Sequence, residues 1–157
     1  MIILGVDPGS QRCGYGVVEW LGPRRLRYVE CGLFEPPRSA ALAVRLGEIS
    51  VGLRELIDEL EPQEVAVEGV FHGKNARSAL MLGHSRGVAL GAAGERNLPV
   101  FEYAPRTVKR AVAGSGAASK YQVQAMVRVL CALKRPPRLD ASDALAVAIC
   151  HAYRKTG

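Results

Sequence analysis

The chain has 157 residues, the size of one ordinary domain and enough to bury a core without disulfide or metal staples. Hydrophobic residues make up 48% and charged residues 23%, which excludes a disordered, collagenous or coiled-coil chain, and no stretch approaches the ~20 apolar residues of a membrane-spanning helix. The net charge of +6 is segregated: residues 1–100 hold 11 Lys+Arg against 12 Asp+Glu, while residues 101–157 hold 10 against 3, so the excess lies in the last third and points to a polyanionic partner, nucleic acid first.

Ile2 to Val6 is a short apolar run rich in β-branched residues and reads as a buried strand. It stops at the turn sequence Asp7-Pro8-Gly9-Ser10. Gly14 to Trp20 reads as a second strand, Gly22-Pro23 as a hairpin break, and Arg25 to Phe34 as a third strand. The short turns between them predict an antiparallel meander. After Pro36-Pro37, Ser39 is a candidate N-cap. Leu42, Leu46, Ile49, Leu53, Leu56, Ile57 and Leu60 then recur at helical spacing, and Pro62 ends that helix.

Glu64 to Glu68 is a brief strand between two helices, expected to run parallel to the first. Residues 75–96 read as a helix rich in Ala and Gly, and Pro99 to Tyr103 as another strand. Pro105 fits the first turn of a short helix. Gly114 to Ser119 is a loop; Ser119 and Gln122 form a capping box before the apolar stripe Val123, Met126, Val127, Leu130. A linker with Pro136-Pro137 leads to a last helix from about Asp140 to Tyr153. The pattern is a single α/β domain over 1–157, built on a mixed five-stranded sheet flanked by helices.

No basic lead precedes the N-terminal apolar run, so no signal peptide is expected. Cys13, Cys31, Cys131 and Cys150 form no C-x-x-C pair and have no His at zinc-finger spacing; they read as reduced, mostly buried thiols of a cytoplasmic protein. His72 reads as a solvated loop residue, His84 and His151 as structural.

Three of the four aspartates, with Glu68, stand in unusual places. Asp7 and Glu68 each end an apolar strand, where a carboxylate is partly desolvated and calls for a partner, a proton or a metal. If those strands are parallel, both acids reach the edge where α/β proteins bind ligands. Asp140 and Asp143 are three residues apart and share a helix face. Turn-making, solvation and helix capping account for each acid taken singly. Four together would repel one another and call for hard divalent cations. Spacing alone does not bring Asp140 and Asp143 to that edge.

Four segments carry a resemblance: Ile3-Leu4-Gly5-Val6-Asp7-Pro8-Gly9-Ser10, Val67-Glu68-Gly69-Val70-Phe71, Pro99-Val100-Phe101-Glu102-Tyr103 and Asp140-Ala141-Ser142-Asp143-Ala144-Leu145-Ala146. In this order, spanning essentially the whole chain, they resemble the bacterial RuvC Holliday junction resolvases. The resemblance implies an RNase H-like fold, with the first three strands antiparallel and the first, fourth and fifth parallel. It also implies a homodimer that nicks two opposed strands of a four-way DNA junction with Mg²⁺ or Mn²⁺, two ions per active site. On this basis Asp7, Glu68, Asp140 and Asp143 would be the catalytic metal ligands, Asp140 the least fixed of them. Lys109 and Lys120 would face DNA, Phe71 would stack on a base, and Lys74, Arg77 and Arg110 would be further DNA contacts. The RuvA and RuvB branch-migration proteins are implied partners.

Sugar-kinase and actin-like ATPases also open with strand–Asp–x–Gly but need two such domains. A small ribosomal-RNA-processing nuclease of the same fold lacks the Glu-x-x-Phe and P-V-F-E-Y signals. A non-enzymatic nucleic-acid binder explains the charge and leaves the four acids unexplained.

Overall fold

The computed structural model describes residues 1–9, 11–69 and 75–155. Its elements, in chain order, are β1 (Ile2–Asp7), β2 (Cys13–Gly22), β3 (Arg25–Phe34), α1 (Leu42–Leu60), β4 (Glu64–Glu68), α2 (Ala76–Gly94), β5 (Val100–Tyr103), α3 (Pro105–Ala113), α4 (Lys120–Leu130) and α5 (Leu139–Arg154). The sheet order is β3-β2-β1-β4-β5. β1 is antiparallel to β2, and β2 to β3. β4 is parallel to both β1 and β5. This is the mixed five-stranded sheet expected from the sequence.

Strand alternation sorts the side chains onto two faces. Leu4 and Val6 of β1, with Val65 and Val67 of β4, pack on the side of Ile49, Leu53, Ile57, Ala89 and Ala93 from α1 and α2. Ile3 and Ala66 pack on the opposite side with α3, α4 and α5. By the same alternation Asp7, two pleats beyond Ile3, and Glu68, one beyond Ala66, share the α5 face. Both lie at the carboxyl ends of their strands.

Helix α5 is the structural axis. Eleven of its 16 residues are buried, and truncating a side chain such as Leu145 or Ile149 to Ala would cost about 2–5 kcal/mol. The helix lies close because the sheet offers glycine beneath it. A Cβ on Gly5 would stand 2.1 Å from Ala144 O, and one on Gly14 2.2 Å from Asp140 O. Gly14 therefore sets how near the first turn of α5 comes to the end of β1, whose Asp7 pairs with Gly14.

The far end of α5 is tied down by His151. Its Nε2 lies 2.5 Å from Glu64 Oε2 and its Nδ1 2.6 Å from the Tyr103 hydroxyl. Lys155 Nζ donates to both Glu64 oxygens at 2.7 Å. Burial raises the Glu64 carboxyl, but the bonds from Lys155 and His151 outweigh it and leave it below its ordinary value. Burial, helped by the charge of Lys155, lowers His151 against the raising effect of Glu64 and leaves it below its ordinary value. A neutral imidazole with Nε2–H donating to Glu64 and Nδ1 accepting from Tyr103 satisfies the whole chain of bonds. The expected structural role of His151 is therefore specific.

One local expectation is corrected. Ser39 does not cap α1: the helix starts at Leu42 with Ala41 as N-cap and no side-chain cap bond. The preceding turn is held instead by Arg45 Nη1, which donates to Ala40 O at 2.9 Å. In the α4 stripe Val123 and Val127 are buried and Leu130 packs partly buried against the same core, while Met126 is exposed. The Ser119–Gln122 capping box forms as expected. All four cysteines are free thiols, and no helix among the described residues is long and apolar enough to cross a membrane.

Candidate active site

Three elements converge at the carboxyl edge of β1 and β4. β1 presents Asp7, β4 presents Glu68, and the first turn and a half of α5 presents Asp140 and Asp143. Oxygens of Asp7, Asp140 and Asp143 all lie within 4.8 Å of one another. Glu68 stands beside this triplet rather than in it, lining one cleft with Asp143, Lys109, Lys120, Pro105, Val108, Val123 and Ala146. Pro105, Val108, Val123 and Ala146 give that cleft apolar surface, and Lys109 and Lys120 set positive charge beside its two acids.

The electrostatics follow from burial and crowding. Desolvation, then the neighbouring charges of Glu68, Asp143 and Asp140, push the Asp7 carboxyl up to about 7. Glu68 is raised by burial and by Asp143, against Lys120 and Lys109. Lys120 Nζ donates to Asp143 Oδ2 at 3.1 Å. The two partners of that pair respond differently. The exposed Lys120 is held above its ordinary value by Asp143, whereas at Asp143 burial outweighs Lys120 and keeps the carboxyl raised. On the other side Arg12 Nε lies 3.3 Å from Asp140 Oδ2. Among the described residues no ion pair reaches Asp7 or Glu68. Four acids with two paired cations leave a surplus of negative charge on hard oxygen donors. That donor set fits a divalent, oxygen-loving cation such as Mg²⁺ or Mn²⁺.

The fold thus brings together Asp7, Asp140 and Asp143, with Glu68, Lys109 and Lys120 beside them. Arg110 is exposed on the last turn of α3. Arg77 is exposed at the start of α2, where its backbone N–H donates to the capping Asn75 Oδ1 at 2.9 Å. Phe71, His72 and Lys74 lie outside the described residues. Sequence reasoning missed three charged residues. Arg12 pairs with Asp140 and approaches Glu35 Oε1 at 3.9 Å. Arg138, just before α5, grips Glu35 through both terminal nitrogens at 2.5 and 2.8 Å. The available signals were an arginine three residues after the Asp-Pro-Gly sequence and another two residues before Asp140.

Comparison with known proteins agrees with this geometry. The family model described as crossover junction endodeoxyribonuclease RuvC matches residues 3–151. The crossover junction endodeoxyribonuclease RuvC of Halorhodospira halophila is 54% identical over 154 residues, covering 98% of this chain and 91% of its own. That of Teredinibacter turnerae is 52% identical over 155 residues, with 96% and 87% covered. The structure of T. thermophilus RuvC in complex with a Holliday junction substrate superposes with a TM-score of 0.91 at 36% identity, over 98% of this chain and 93% of that one. The expected RNase H-like architecture is therefore the architecture present, and the chain belongs to the RuvC family of crossover junction endodeoxyribonucleases.

Proposed function

We propose that this chain, as a single nuclease domain, resolves four-way DNA junctions by nicking two opposed strands, with 5′-phosphate and 3′-hydroxyl ends as products. The observation that carries the reading is the Asp7–Asp140–Asp143 triplet, whose Asp143 lines a cleft together with Glu68, Lys109 and Lys120. A relative of 36% identity is described in complex with a Holliday junction substrate, which supports the substrate class.

Asp7, Asp140, Asp143 and Glu68 would hold Mg²⁺ or Mn²⁺, two ions in the family's pattern. Such ions supply an activated water and charge stabilisation on the leaving oxygen of a phosphodiester. The remaining work belongs to the chain itself. Lys109 and Lys120 attract the DNA backbone and place a phosphate over the acids, which by themselves would repel it. The apolar floor of Val108, Val123 and Ala146 limits water around the carboxylates. Gly14 and the buried face of α5 keep Asp140 and Asp143 against Asp7. Phe71, Lys74, Arg77 and Arg110 are further DNA contacts in this reading.

One chain carries one acid set, and two strands must be cut, so the working form is a two-fold homodimer. Helix α2 supports this. At Gly83, Gly87 and Gly91, one helical face at four-residue spacing, an added Cβ would meet nothing within 4 Å, and Leu80 on the same helix is exposed. Such a face lets a second helix approach closely. The reading places the enzyme in the cytoplasm, acting with RuvA and RuvB in recombination and repair.

A supercoiled plasmid carrying an extruded cruciform tests the paired action. Two cuts in one binding event give linear DNA; independent cuts give nicked circles first. Linear product in Mg²⁺ or Mn²⁺, resealable by ligase at each end of the cut strands, is expected. Nicked circles alone, or no cleavage in either metal, would overturn the proposal.

A further inference from the structure

Arg12 stands between two carboxylates. Its Nε is 3.3 Å from Asp140 Oδ2, an oxygen of the acid cluster, and its Nη1 is 3.9 Å from Glu35 Oε1. The second carboxylate is fixed in place by the two-pronged bond from Arg138. The backbone of Arg12 lies close to Gly9, where an added Cβ would stand 2.4 Å from Arg12 O. The guanidinium thus has one acceptor inside the acid cluster and another outside it, without any backbone movement needed to choose between them.

Among the described residues Lys120 forms a salt bridge with one carboxylate, Asp143, which belongs to the acid cluster itself. A guanidinium on Asp140 and a divalent cation on the same carboxylate repel one another at this range. Glu35 Oε1, 3.9 Å from Arg12 Nη1, offers the displaced guanidinium a charge-assisted bond.

We infer that Arg12 is a displaceable counter-ion of the metal centre, which occupies Asp140 while the cation is absent and moves onto Glu35 when the cation binds. Arg12 therefore tunes how tightly the site holds its cation. The inference rests on the reading of the acid cluster as a metal centre.

The test is Mn²⁺ binding to the whole protein without DNA, by isothermal titration and by loss of the free-Mn²⁺ electron paramagnetic resonance signal. Arg12→Gln should bind Mn²⁺ about three- to tenfold more tightly than wild type, the scale of one partly exposed pair acting on a dication. Arg12→Lys, which keeps the charge, should stay closer to wild type. Glu35→Gln removes the negative charge of the alternative partner and should bind Mn²⁺ more weakly. Circular dichroism establishes that each variant is folded. Equal or weaker binding by Arg12→Gln, with wild-type binding intact, overturns the inference alone. Absence of Mn²⁺ binding by wild type overturns the metal centre and the inference with it.

Discussion

Replacing Asp7 by Asn removes a charge that the fold accommodates poorly. Burial and three neighbouring acids raise this carboxyl from 3.8 to about 7. At about 1.36 kcal/mol per pKa unit, ionised Asp7 disfavours the metal-free fold by at most about 4 kcal/mol. The sign follows from the raised value. The folded state binds the proton more tightly, so stability falls as pH rises from 3.8 and the penalty is complete above about 7. Asn carries no such charge. In urea titrations with EDTA at pH 8, Asp7→Asn should be more stable than wild type by about 2–4 kcal/mol, a range discounted for relaxation around the site. The advantage should fall to roughly half at pH 5.5 and vanish near pH 4. Added Mn²⁺ should stabilise wild type more than the variant, because binding to the folded state alone adds stability. A variant no more stable than wild type at pH 8 would show that Asp7 is not held as a desolvated, uncompensated acid.

The other expectations concern α5 and the dimer face. Gly14→Ala sets a Cβ 2.2 Å from Asp140 O; it should cost about 3 kcal/mol and, by displacing Asp140, lower junction cleavage by about 10²-fold, measured by chemical denaturation and single-turnover nicking. His151→Gln should cost about 1–3 kcal/mol at pH 8. Because burial lowers His151 below 6.5, its contribution is whole above that value and is lost as pH falls towards the folded pKa. The difference between wild type and variant should therefore shrink below pH 6.5, and a constant difference would contradict the neutral-imidazole assignment. Gly87→Leu fills open space in the single chain, so secondary structure should be unchanged while sedimentation velocity shows monomers; a dimer of wild-type strength would place the contact elsewhere.

Much of this was legible because each signal was local. The β-branched run Ile2–Val6 and the heptad-like recurrence from Leu42 to Leu60 mark their elements by period alone. The places of Asp7 and Glu68 follow from strand alternation once β1 and β4 are parallel. The arrival of Asp140 and Asp143 at the same edge was not legible. It depends on Gly5 and Gly14 admitting the backbone of α5, and no spacing along the chain reveals which glycines lie under a helix. The links from Arg12 and Arg138 to Glu35 join residues up to 103 apart and leave no periodic trace. The Ser39 cap misled for a complementary reason: a good capping residue marks a helix start only if the backbone turns there, and here the turn runs two residues further.

The most direct test is strand-by-strand mapping of a four-way DNA junction, each strand labelled in turn, with wild type and Asp7→Asn. Both proteins should bind the junction in EDTA. On addition of Mg²⁺ or Mn²⁺, wild type should give symmetric nicks in two opposed strands and Asp7→Asn none. Symmetric nicking by Asp7→Asn at the wild-type rate, or binding by wild type without cleavage in either metal at any sequence, would contradict the account.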